Sequence, residues 1–268
     1  MLIVKEKILS ANKIDSKLAV VTGGSGRIGS LFVQILLNSG TKVICLSRSS
    51  DKFLKLQKMV PKHQKTNLEW ICFDLNKKNT IINATKIIKK NFSKLDLLIN
   101  NASSSYRGEN YIYNYKTITD EFFNVFGGAV LLTESLISLL RKNKNSKIIN
   151  VGSLWAIKAP NQKIYGNMQI GPSALTSAGK SAIINYSNYL AVREAKYFMS
   201  VNSLIPGWFP RKGKVENKKY INKIKNSIPL KRIGKLENLI SPISFLLSSG
   251  SSYYTGQNLI VDGGYTSW

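Results

Sequence analysis

Short apolar runs alternate along this chain with stretches of helical periodicity. That alternation restricts it to a parallel sheet wrapped by helices. Leu18-Ala19-Val20-Val21 is the first strand, and residues about 28–38 follow as a helix. Lys42–Leu46 is the second strand, with a helix over Asp51–Val60 that has Asp51 near its N-terminus. Leu68–Phe73 and an amphipathic helix over about 80–92 come next, then Leu95–Asn100 and a stretch, 118–142, that reads as one helix. Lys147–Val151, a helix over 173–195, Met199–Leu204, a helix over about 237–248 and Asn258–Val261 complete the pattern. The expectation is one α/β domain over 18–268, a doubly wound parallel sheet of about seven strands, preceded by a short extension, 1–17. The region 206–236, rich in Lys, Asn, Pro and Gly, is expected to be a mobile flap.

With 268 residues, 43% of them hydrophobic, the chain can bury one substantial core. No apolar run reaches the roughly 18 residues that span a bilayer. Met1-Leu2-Ile3-Val4 lacks the apolar core and cleavage site of a secretory signal. A cytoplasmic protein is expected, with no membrane partner. Cys45 and Cys72 both sit in apolar strand-like runs and are expected to be reduced core residues, with no disulfide and no metal. The formal net charge of +25 suggests nucleic acid at first sight. The basic residues, however, are mostly Lys, spread along the whole chain and interleaved with Asn and Ile. No zinc-finger spacing, basic-heptad region or RNA-binding aromatic motif accompanies them, so no specific nucleic-acid partner is expected. A basic surface still attracts anionic small molecules, nucleotides among them.

Thr22-Gly23-Gly24-Ser25-Gly26-Arg27-Ile28-Gly29 follows the first strand and opens the first helix. Glycines let the backbone turn tightly and approach a pyrophosphate, and the helix N-terminus offers free N–H groups to the anion. Dinucleotide binding is expected there. Arg27 either reaches a phosphate or lies in solvent. After the second strand comes Ser47-Arg48, with no acid before Asp51. An acid at that point would bond an NAD ribose, whereas Ser47 and Arg48 accommodate a 2′-phosphate. NADP(H) is therefore favoured over NAD(H), unless Arg48 is simply a solvated loop charge.

These residues resemble the short-chain dehydrogenase/reductase family, from Leu18 to the C-terminus. The resemblance implies a Rossmann-type fold, a nicotinamide cofactor and an oxidoreductase, with homodimers or homotetramers paired through the helices at 118–142 and 173–195. The spacing Gly23-x-x-Gly26-x-x-Gly29 is similar to that of the extended members. Asp74-Leu75 matches the adenine-contacting position, and Asn101-Ala102 in Asn100-Asn101-Ala102-Ser103 lines the cofactor pocket. Pro206-Gly207, after the sixth strand, is placed with the cofactor-binding residues. Asn124 falls where members carry a helix asparagine that holds a relay water, and Ser153 where they carry a substrate-orienting serine. Lys180 matches the lysine that binds the nicotinamide ribose.

At the remaining catalytic position the family has a tyrosine four residues before the lysine, and this chain has Thr176. A threonine hydroxyl has no useful acidity near pH 7. Tyr165, twelve residues after Ser153, is a candidate substitute acid if the 154–172 loop folds back over the site. Gln169 rather than Lys follows it by four, and Gly166, Gly171 and Pro172 disfavour a regular helix there. Ser153-Leu154-Trp155-Ala156, Ala159-Pro160, Ile164-Tyr165, Pro206-Gly207-Trp208-Phe209 and the ending Asp262-Gly263-Gly264-Tyr265-Thr266-Ser267-Trp268 resemble a bacterial subgroup of legionaminic-acid-type (nonulosonate) sugar biosynthesis. That implies a sugar or nucleotide-sugar substrate and a polar, aromatic-lined pocket. Trp155, Tyr165 and Trp208 either build that pocket or are packing residues. The alternative function is a cofactor-binding protein without dehydrogenase activity, a regulatory or partner subunit.

Overall fold

The computed structural model describes residues 13–103, 113–165, 172–209 and 218–268. Its strands are Leu18–Thr22 (β1), Lys42–Ser47 (β2), Leu68–Cys72 (β3), Leu97–Asn100 (β4), Lys147–Val151 (β5), Ser200–Pro206 (β6) and Asn258–Val261 (β7). They pair in the order β3-β2-β1-β4-β5-β6-β7, every pair parallel. Every residue of β1, β4, β5 and β6 is buried. Burial on both faces is why these strands read as continuous apolar runs rather than alternating ones. The strand order reverses between β1 and β4, which opens a crevice at the carboxyl ends of the strands.

The helices are Gly29–Asn38 (α1), Ser50–Met59 (α2), Lys78–Asn91 (α3), Tyr115–Phe122 (α4), Gly128–Leu140 (α5), Gln162–Tyr165 (α6), Ala174–Glu194 (α7), Lys218–Asn226 (α8) and Ile240–Leu247 (α9). In α1 the buried positions Gly29, Phe32, Val33, Leu36 and Leu37 recur at helical spacing and form one stripe. Ser49 caps α2 by accepting from the Lys52 N–H, with Asp51 in the first turn. Ser173 caps α7 by accepting from the Thr176 N–H at 2.9 Å. One core packs Phe32, Val33, Leu36, Phe53 and Leu246 on one side of the sheet. The other packs Ile81, Ile88, Leu132, Leu136 and Leu190 on the opposite side.

The stretch expected as one helix is interrupted: Phe123–Gly127 is a π-helical turn between α4 and α5. Close packing surrounds it. A Cβ at Gly127 would sit 2.8 Å from Phe123, one at Gly128 2.5 Å from Leu75, and one at Gly179 of α7 2.8 Å from Val125. Such turns are rare and recur at functional sites. Contrary to the hydropathy expectation, Tyr115–Leu140 is long and apolar enough to cross a membrane by length and composition. In the fold its apolar stripe, Leu132, Leu136 and Leu140, is buried as part of the core.

The region 206–236, expected as a flap, contains α8, in which Tyr220 and Ile224, one turn apart, are buried. Its residues 210–217 lie outside the described part, as do 1–12 of the N-terminal extension and Gly166, Gln169 and Gly171. Cys45 is buried as expected, but Cys72 is exposed, because β3 is an edge strand. Residues 13–17 are pinned to the domain: Lys17 N and Leu18 N donate to Asp96 Oδ2, and Ser249 N donates to Lys13 O.

Candidate active site

The glycine loop is shaped by close backbone approach. Gly23 has φ +61°, a left-handed conformation that favours glycine, and Gly26 N donates to Gly23 O at 2.8 Å. A Cβ on Gly29 would lie 2.1 Å from Gly23 O, so α1 can start there only as glycine. Asn101 braces the loop, donating from Nδ2 to the carbonyls of Thr22 and Gly23. Thr22 Oγ1 accepts from the N–H groups of Asn101 and Ala102, locking the end of β4 to that of β1.

A cleft of about 550 Å³ opens beside this loop. The expected residues Gly23, Ser25, Gly26, Arg27, Ile28, Ser47, Arg48, Asp74, Leu75, Asn101 and Ala102 all line it. Gly29, Lys180, Pro206 and Gly207 do not. Gly29 shapes the loop from behind, and Gly207 N donates to Val261 O at the β6–β7 edge. Lys52, which also lines the cleft, escaped the sequence reading. Its signal was a second cation four residues after Arg48. Ser47 serves the interior as well as the cleft: it is buried, and its Oγ accepts from Trp70 Nε1 at 3.0 Å. Its side chain also hydrogen-bonds the Cys45 thiol, which burial nonetheless pushes up to about 12. Exposed Arg48, with Lys52, is therefore the main candidate for an extra phosphate at this end. A loop of this form at a helix N-terminus fits a dinucleotide pyrophosphate.

The second group of residues gathers where β5 ends. Lys180, buried in α7, donates from Nζ to Val151 O at 2.8 Å, two residues before Ser153. Burial pushes its ammonium down to about 8. Ser153 follows the strand and caps the next turn, its Oγ accepting from Trp155 N. Ser181 ties α7 to the same turn by donating to Ala156 O. Thr176 lies one turn before Lys180, buried, and donates from Oγ1 to Glu121 Oε1 at 2.6 Å. Glu121, on α4, is itself buried and also accepts from the Ser173 hydroxyl. Sequence reasoning missed it. Asn124, one turn further in the π turn, donates from Nδ2 to Asn76 Oδ1. Its Oδ1 is buried with no hydrogen-bond partner among the described residues.

Tyr165 is buried at the end of α6. Its ring centroid lies 6.3 Å from that of Trp208, 6.1 Å from Tyr220 and 6.5 Å from Trp155. Trp155 and Trp208 meet edge to face at 5.3 Å, and Tyr265 meets Trp155 the same way at 5.9 Å. The rings form a third apolar cluster next to Ser153, in which Tyr165 and Tyr265 are buried and Trp155 and Trp208 only partly so. A second cavity of about 470 Å³ lies against this cluster, lined by Trp208, Arg232, Asn238, Asp262 and Thr266 among others.

A family model described as enoyl-(acyl carrier protein) reductase, within the short-chain dehydrogenase/reductases, matches residues 25–266. The chain belongs to the short-chain dehydrogenase/reductase family. It is 30% identical over 258 residues to 3-oxoacyl-[acyl-carrier-protein] reductase of Buchnera aphidicola subsp. Baizongia pistaciae, covering 94% of this chain and 98% of that protein. It is 26% identical over 287 residues to the ribulose-forming D-arabinitol 2-dehydrogenase of Candida tropicalis, covering 98% and 97%. Among solved structures, a short-chain dehydrogenase from Leptospira borgpetersenii with bound NAD+ superposes with a TM-score of 0.80 at 29% identity, covering 96% of this chain and 95% of that one. By family, then, the chain is an NAD(P)-dependent oxidoreductase, and the doubly wound sheet is the family's.

Proposed function

We propose that this short-chain dehydrogenase/reductase oxidises or reduces a sugar- or polyol-like hydroxyl or carbonyl, with NADP(H) preferred to NAD(H). The observation that carries the reading is Lys180. An ammonium is buried at the end of β5, anchored to Val151 O, beside Ser153 and one turn from Thr176. Burying a cation is costly unless it is paired and hydrogen-bonded. Among the described residues Lys180 has one hydrogen-bond partner, a carbonyl, a placement that suits a ribose and a substrate oxygen. When bound, the nicotinamide supplies a hydride carrier. The glycine loop holds the pyrophosphate, Arg48 and Lys52 the 2′-phosphate, Lys180 the ribose, and Ser153 orients the reacting oxygen. The Candida relative's polyol substrate supports a sugar-like ligand. The nonulosonate-type sugar is the finer form of this reading, and it rests on the sequence pattern.

The protein works in the cytoplasm, without nucleic-acid or membrane partners, as a homodimer or homotetramer. Tyr115 and Ile118 on α4 and Tyr189 and Val192 on α7 are exposed apolar residues on the helices expected to pair.

The absence of tyrosine at 176 and the packing of Tyr165 into the aromatic cluster favour a second reading, nucleotide binding without turnover. Thr176→Tyr separates the two. Turnover of ketoses and polyols by the natural protein, reduced in Thr176→Tyr, is the expected result and means that another group moves the proton. Turnover seen only in Thr176→Tyr establishes the second reading.

A further inference from the structure

We propose that Glu121 is the proton reservoir of this site, exchanging protons with a substrate oxygen through the Thr176 hydroxyl. The inference rests on the oxidoreductase reading above and supplies what Thr176 alone lacks. A threonine cannot hold an alkoxide near neutral pH, so by itself it neither takes nor gives a proton. A hydroxyl that passes one proton on as it receives another needs no alkoxide, provided that a carboxyl stands behind it.

The geometry supplies that carboxyl. Glu121 and Thr176 are 4% and 8% exposed, too little for water to compete freely for their hydrogen bond. The Thr176 hydroxyl carries one proton and two lone pairs, and its proton is donated to Glu121 Oε1 at 2.6 Å. A lone pair is thus left to accept from a substrate hydroxyl. Ser173, half-buried, completes the chain: its hydroxyl donates to the same Glu121 oxygen and lies 3.1 Å from Thr176 Oγ1. It links the carboxyl toward solvent. A residue needed only to fill space between α4 and α7 would be apolar, because burying a carboxyl costs free energy.

In the oxidative direction the substrate O–H bond breaks as a new O–H bond forms on Thr176 Oγ1. The original Thr176 O–H bond breaks as its proton joins the Glu121 carboxylate. The electron pair of the carbinol C–H bond leaves as hydride, which the family reaction already accommodates. The proton then leaves Glu121 by way of Ser173. Reduction is the reverse. Glu121 is a positioning residue here, because it acts through Thr176.

The test compares wild type, Glu121→Gln, Glu121→Asp and Thr176→Val. In the nucleotide-free protein, the infrared carboxylate band lost in Glu121→Gln should shift in Thr176→Val, and an unmoved band contradicts the contact. NADPH and NADH binding, followed by nicotinamide fluorescence, should change less than twofold in the Glu121 variants. With a panel of ketoses and polyols, kcat should fall about 10²-fold or more in Glu121→Gln, with KM little changed and partial return in Glu121→Asp. Wild-type turnover in Glu121→Gln with nucleotide binding intact overturns the proposal alone. A wild type that binds nucleotide yet turns over nothing on the panel overturns the proposal together with the sugar and polyol reading. A wild type that binds neither nucleotide overturns the oxidoreductase reading itself.

Discussion

Lys180 shows how one residue can be costly to the fold and useful to the site. Its ammonium is held by a single carbonyl, and burial pushes it down to about 8. The folded chain therefore binds this proton less tightly than the unfolded one. Between about pH 8 and the ordinary lysine value, the unfolded state holds more protons and stability rises with pH. Replacing the cation with an apolar side chain of similar length removes the penalty, partly offset by the lost hydrogen bond. Lys180→Met should stabilise the nucleotide-free protein at pH 7 by about 2 kcal/mol, and the gain should vanish by pH 10. Thermal unfolding at both pH values checks this. A variant destabilised at pH 7, or equally altered at both, would contradict it. Glu194 is the opposite case at the far end of α7. Burial alone would raise its carboxyl, but hydrogen bonds from Arg141 and Arg193 hold it below the usual glutamate range.

The strand–glycine loop–helix unit is the element on which the nucleotide reading stands. Its loop works because Gly23 O sits where any side chain on Gly29 would be, with Asn101 Nδ2 only 2.7 Å from the same point. Gly29→Ala should therefore push α1 away from the loop and weaken NADPH at least tenfold, with circular dichroism unchanged. Retained affinity would mean that the loop is not the anion site. This element was fully legible in the sequence, because strand, glycines and helix onset are local patterns. The π turn was not, because it answers tertiary packing of Val125 against Gly179 and Leu75 against Gly128. Glu121 was hidden for the same reason: on α4 it reads as one more surface acid, and only α7 makes it a buried partner of Thr176. Cys72 was misplaced because an apolar strand gives no sign of being an edge. The one-turn α6 escaped for lack of length and the nine-residue α8 because its Lys- and Asn-rich sequence reads as a loop, and their aromatic residues meet only through long-range packing.

Across the whole molecule, the seven parallel strands and the helices that cover them followed from the alternation of strands and helices, whereas the strand order, and with it the crevice between β1 and β4, came only from the structure. The distribution of charge sharpens the account further. Of the chain's +25, Arg27, Arg48 and Lys52 line the cleft beside the glycine loop. Arg48 is exposed at the end of β2, where a carboxylate would favour NAD. Ser47, whose hydroxyl also serves Trp70 and Cys45, leaves more of the phosphate recognition to these cations. The central claim is that this cleft holds a nicotinamide dinucleotide and reads its 2′-phosphate. The most direct test is to titrate NADPH and NADH into wild type and Arg48→Ala while following nicotinamide fluorescence. The account predicts micromolar binding, tighter for NADPH, with NADPH alone weakened about tenfold in Arg48→Ala. Binding of neither nucleotide, or NADPH binding indifferent to Arg48, would contradict it.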